Sequence, residues 1–99
     1  MDIEMNVEGS KATLALEGKL TVQALPDLSA AVDRLPAAVC DIDVDLSGVT
    51  YIASAGLRVL VSADKLMVSR GGSMRLLHPN ADVMDVFEMT GFSKILTFE

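Results

Sequence analysis

The apolar residues of this chain recur at two different periods, and the order in which those periods follow one another restricts the fold more tightly than any other property. Ile3, Met5 and Val7 alternate with Asp2, Glu4, Asn6 and Glu8, the period of a half-buried strand. Gly9-Ser10 marks a turn, after which Ala12, Leu14 and Leu16 resume the alternation. Residues 1–8 and 12–16 are therefore predicted to pair as a hairpin that ends at Gly18. Across residues 24–35 the period lengthens: Leu25, Leu28, Val32 and Leu35 have helical spacing, Pro26 and Asp27 suit a first turn, and Pro36 is a stop. Ile42, Val44 and Leu46, set between Asp41, Asp43 and Asp45, predict a third strand leading into a turn at Ser47-Gly48.

A second helix is predicted over residues 54–70. Leu57, Val59, Leu60, Val61, Leu66, Met67 and Val68 form a broad apolar arc, with Arg58, Ser62, Lys65 and Ser69 opposite and Asp64 out of place within the arc. Gly71-Gly72 ends this helix, residues 74–77 form a strand, Asn80 caps a helix running to about Met89 before Gly91, and residues 95–98 add a last short strand. Strands that alternate with helices after an initial hairpin imply an α/β fold: a mixed β-sheet of about four to five strands with helices packed against it.

With 99 residues there is room for one domain, spanning 1–99. Hydrophobic residues make up 51% and charged residues 22%, the balance of a folded globular protein. The longest uncharged stretch, residues 46–57, is too short and too polar to span a membrane, and the acidic start lacks the pattern of a secretory signal. A cytoplasmic protein is expected. A net charge of −6 with scattered basic residues argues against nucleic-acid binding. The lone Cys40 allows neither an internal disulfide nor a thiolate metal cluster, and its acidic neighbours Asp41 and Asp43 disfavour a reactive thiolate; it reads as a small residue at a strand edge.

The segment from Asp45 to Arg58 places Ser54 at or beside the N-cap of the second helix. Ala53, Ala55 and Gly56 leave its hydroxyl open to a macromolecular active site, while Val49 and Ile52 can anchor the loop. Free amides and the positive end of the helix dipole tolerate a phosphate there. A phosphoryl group would add charge and bulk to whatever surface docks on the loop. Judged by local chemistry alone, the simpler role for Ser54 is that of helix cap.

Other chemistries fare worse. His78 as a base for Ser54 has no acid to orient it, and Gly-x-Ser-x-Gly spacing is absent. The phosphate-binding glycine motifs of nucleotide sites are missing, and Gly71-Gly72 follows a helix, the wrong end of the dipole. One histidine and one cysteine cannot build a closed metal site, so the acids could hold a hard cation only weakly. No cofactor and no enzymatic activity are expected.

Over nearly its whole length the sequence resembles STAS domains, the family of bacterial anti-sigma-factor antagonists and of the cytoplasmic domains of sulfate transporters. The resemblance rests on Asp45-Leu46-Ser47, Tyr51-Ile52 and Ser54-Ala55-Gly56-Leu57, with Gly18-Lys19-Leu20, Gly71-Gly72 and the run from Phe87 to Phe92 in order around them. Ala53, and Thr21 after the Gly-x-Leu turn, stand where many phosphorylated members carry aspartate. Without an acid at 53, the electrostatic cost of adding phosphate falls. The resemblance implies that Ser54 is the phosphoacceptor and that Thr21, Ala53, Ser54, Ala55, Gly56 and Arg58 contact the partner. It further implies partner switching: the unphosphorylated domain binds an anti-sigma factor that is also a serine kinase, phosphorylation of Ser54 ends the complex, and a serine phosphatase resets it. An alternative is a scaffold or sensory STAS module that recruits another signalling regulator. A monomer or weak dimer is expected.

Overall fold

A computed structural model describes residues 1–99. Strands β1 (Asp2–Glu8) and β2 (Lys11–Leu20) form the antiparallel hairpin, with Glu8 opposite Lys11 at the turn. Helix α1 (Leu25–Asp33) leads to β3 (Asp41–Ile52), α2 (Ser54–Ser69) to β4 (Ser73–Leu77), and α3 (Ala81–Thr90) to the two-residue β5 (Thr97–Phe98). The five strands lie in the order β1-β2-β3-β4-β5, antiparallel at the first pair and parallel at the other three.

Each parallel connection advances one strand in the same direction. Right-handed crossovers of that kind put all three helices on one face, and the burial pattern agrees. Ala12, Leu14 and Leu16 of β2, Ile42, Val44 and Leu46 of β3, and Met74 and Leu76 of β4 are buried beneath the helices with Leu28, Leu57, Leu60, Met67 and Phe87. Full burial of a leucine of this kind contributes about 1.5–3 kcal/mol. Phe87 and Phe98 pack edge to face with ring centroids 4.9 Å apart, which ties α3 to β5.

The opposite face carries no helix. Asp43 sits at its centre, receiving two hydrogen bonds from Arg75 (Nε to Oδ1 2.9 Å, Nη2 to Oδ2 3.0 Å) and an ion pair from Lys11 at 3.0 Å. Arg75 reaches on to Glu99, so one chain of charges crosses β2, β3 and β4 and ends one residue past β5.

Several boundaries depart from the sequence reading. Gly18 does not end β2; with φ at 110° the strand passes through it to Leu20. Ser47-Gly48 is not a turn either. The strand β3 runs straight on to Ile52, absorbing two register shifts against β2, between Ala15 and Glu17 and between Gly18 and Lys19. At both glycines a paired neighbour strand keeps the chain extended. Helix α1 is shorter than its apolar pattern, because residues 22–24 form a separate 3-10 turn and Arg34 already serves as its C-cap.

In α2 the buried stripe is Gly56, Leu57, Leu60, Ala63 and Met67, narrower than the apolar arc suggested. Val68 is 60% exposed, and Asp64, half-buried, flanks the stripe between Leu60 and Met67 instead of interrupting it. Arg58, Ser62, Lys65 and Ser69 face solvent as expected. Gly71, at φ 84°, ends α2 in the left-handed conformation. Gly72 passes so near β3 that a Cβ would come within 1.7 Å of the Cys40 carbonyl oxygen. Cys40 is half-buried at the strand edge, its thiol 3.6 Å from Asp41 Oδ2.

Candidate functional site

β2 and β3 end together. Leu20 pairs with Ile52, and one residue later the amide of Ala53 donates to the Leu20 carbonyl at 2.9 Å. Thr21 and Ala53 therefore leave the sheet side by side at the C-terminal ends of neighbouring parallel strands, where α/β sheets commonly present their binding surfaces. Buried Val49 and Ile52 anchor the segment. A further tie comes from Asn80, which caps α3 by accepting from the Val83 amide at 2.8 Å while its Nδ2 donates to the Val49 carbonyl at 3.1 Å.

The N-cap of α2 is Ala53, with the extended backbone a cap residue adopts (φ −93°, ψ 158°) but no side chain able to accept a hydrogen bond. Ser54 is the first helical residue. It is exposed, and its hydroxyl has no hydrogen-bond partner, so the capping role open to it by local chemistry is not realised. The Gly56 and Leu57 amides both bond to the Ala53 carbonyl, at 2.9 and 3.2 Å. The amides of Ser54 and Ala55 have no acceptor. Two free N–H groups and the positive helix end thus lie beside an unengaged hydroxyl, an arrangement that favours an added anion.

Of the other residues singled out from the sequence, Thr21, Ala53 and Ala55 are half-buried and Arg58 is exposed, one helical turn from Ser54 on the same side. Gly56 is buried. A Cβ there would stand 2.7 Å from Leu20 Cγ, so glycine lets the first turn of α2 rest on the end of β2. His78, exposed and held at φ 55°, directly follows the last residue of β4.

Two apolar residues beside the loop are not among the site residues expected from the sequence, although Tyr51 belongs to the Tyr51-Ile52 pair of the family resemblance. Val22 is 66% exposed and Tyr51 52% exposed, and with Thr21, Gln23 and Ala53 they line an open cleft of about 420 Å³. Their exposure follows from the second register shift in β3 and the 3-10 turn after β2, neither of which has a local sequence signal.

The family described as "Mlab, STAS domain" matches residues 3–97. The chain belongs to the STAS domain family. Among curated proteins, this STAS domain is similar to the anti-sigma-B factor antagonist of Bacillus subtilis (strain 168), 27% identical over 96 residues, which cover 97% of this chain and 86% of that protein. A putative anti-sigma factor antagonist of Thermotoga maritima has the same fold, with a TM-score of 0.86 at 23% identity over 97% of this chain and 84% of the other. So does the Bacillus cell fate determinant SpoIIAA in its phosphorylated form, with a TM-score of 0.75 at 18% identity over 99% of this chain and 91% of the other. The mixed sheet with helices packed on it is the STAS fold. No helix of this STAS domain is long and apolar enough to cross a membrane.

Proposed function

We propose that this STAS domain is an anti-sigma-factor antagonist working by partner switching, without catalytic activity of its own. In its unphosphorylated state it binds an anti-sigma factor that is also a serine kinase, which frees the sigma factor. The kinase phosphorylates Ser54 and the complex parts; a serine phosphatase restores the binding form. The observation that carries this reading is the unengaged, exposed Ser54 hydroxyl at the first position of α2, with two free amides beside it. The likeness to the anti-sigma-B factor antagonist and the fold shared with SpoIIAA, which has a phosphorylated form, support it.

Docking falls on Thr21, Ala53, Ser54, Ala55 and Arg58, placed by Gly56 and extended by the cleft between Val22 and Tyr51. A phosphoryl group at Ser54 would add about −1.5 to −2 charges at the middle of that surface while the scaffold beneath stays intact. A second reading, in which the same surface recruits a different signalling regulator, is favoured by Ala53 and Thr21, neither of which offers a kinase an acid beside Ser54.

Incubation with candidate anti-sigma kinases and ATP, followed by intact-mass measurement, separates the two. Partner switching requires a gain of one phosphate that is absent from Ser54→Ala, together with loss of kinase binding by the phosphorylated domain. Binding that persists after phosphorylation, or modification at another residue, defeats it.

A further inference from the structure

β1 is a seven-residue edge strand, and no hydrogen bond joins its outer backbone edge to anything. No proline, lysine or bulge blunts it, and the only charges it carries are acidic. Its two rows of side chains differ sharply. On the open sheet face lie Asp2, Glu4 and Glu8, none of them in an ion pair, since Lys11 and Arg75 are engaged with Asp43. On the helix side lie Ile3, Met5 and Val7, paired with buried Leu16, Leu14 and Ala12. Ile3 and Met5 are only half-covered and Val7 is 42% exposed.

We propose that the β1 edge is a docking strand for an extended segment of a partner protein in which basic and apolar residues alternate. Such a segment would continue the sheet by main-chain hydrogen bonds. Its basic side chains would fall in the row of Asp2, Glu4 and Glu8, and its apolar side chains would extend the cover over Ile3, Met5 and Val7. A second copy of this chain matches the apolar row but sets acid against acid across the new strand pair, which disfavours self-association. The site lies on a strand edge distinct from the Ser54 loop, and the inference does not depend on phosphorylation.

The test uses a seven-residue peptide alternating lysine and valine, and a control of the same composition with its valines contiguous, each titrated into isotope-labelled protein. Saturable shifts confined to Asp2–Glu8 and the adjoining β2 amides are expected, with affinity for the alternating peptide higher than for the control. The Asp2→Asn, Glu4→Gln, Glu8→Gln variant is expected to bind about tenfold more weakly. Because those three side chains are exposed, the variant should keep the native amide spectrum; raising the salt from about 50 to about 500 mM weakens binding in the native sequence without any substitution. Equal binding of the two peptides, shifts elsewhere on the surface, absence of binding at millimolar peptide, or dimerisation of the native protein through β1 would each overturn the proposal.

Discussion

The side chain of Leu20 fills the space that a Cβ on Gly56 would need, with Leu20 Cγ at 2.7 Å and the Leu20 carbonyl oxygen at 3.3 Å from it. Leu20 is fully buried, so it has little room to withdraw. Replacing a helical glycine by alanine ordinarily stabilises by about 1 kcal/mol. Here the sign should reverse: Gly56→Ala is expected to cost about 1–3 kcal/mol as overpacking, seen as a lower urea midpoint at unchanged slope. A raised midpoint would mean that α2 does not rest on the end of β2.

Ser54 makes no side-chain hydrogen bond, so its hydroxyl is free of structural duty. Ser54→Ala is expected to shift stability by less than about 0.5 kcal/mol, as at an ordinary surface position. Loss of a true cap would cost about 1 kcal/mol. Thermal unfolding of the two proteins side by side distinguishes these values, and a loss of the larger size would show that Ser54 caps α2 after all.

Ala53 already has the backbone of an N-cap and lacks only the acceptor. Ala53→Asp is expected to stabilise the domain by about 0.5–2 kcal/mol, through a bond to a first-turn amide and a favourable charge at the helix N-terminus. At about 4–8 °C per kcal/mol for a domain of this size, the change is readable as a rise in Tm. Slower exchange of the Ala55 amide should accompany it; an unchanged Tm and unchanged exchange would show that the first turn is already satisfied.

Burial of Asp43 pushes its carboxyl pKa up, but hydrogen bonds and charge from Arg75 and Lys11 outweigh that and hold it below the ordinary carboxylate range. The folded state therefore favours the ionised form. The resulting stabilisation is complete above the unfolded-state pKa of about 3.9 and is lost as pH falls through the lower folded value. Asp43→Asn should be less stable at neutral pH and lose less stability between about pH 4 and about pH 2. Urea midpoints across that range check this, and parallel acid limbs for the two proteins would remove Asp43 from the account.

Element types were legible wherever a segment carried its own signal. The alternation through Ile3, Met5 and Val7, the acids between Ile42, Val44 and Leu46, the cap at Asn80 and the left-handed stops at Gly71 and Gly91 each act over a few neighbouring residues. Strict alternation in β3 also reflects the bare sheet face, since a parallel strand covered on both sides would be apolar throughout. The reading failed at Gly18 and Ser47-Gly48, where pairing with a distant strand overrode a local breaker.

The sequence by itself thus determined the order and type of the elements and put Ser54 at the start of a helix, because periodicity and capping are short-range effects. Only the tertiary structure decided that Ala53 and not Ser54 is the cap residue, that Thr21 emerges beside Ala53, that Val22 and Tyr51 flank the loop, and that Asp43 is shared by Lys11 and Arg75. Those relations depend on the register between strands far apart in the chain. A shift of one residue in that register turns every side chain to the other face, and no local pattern records it.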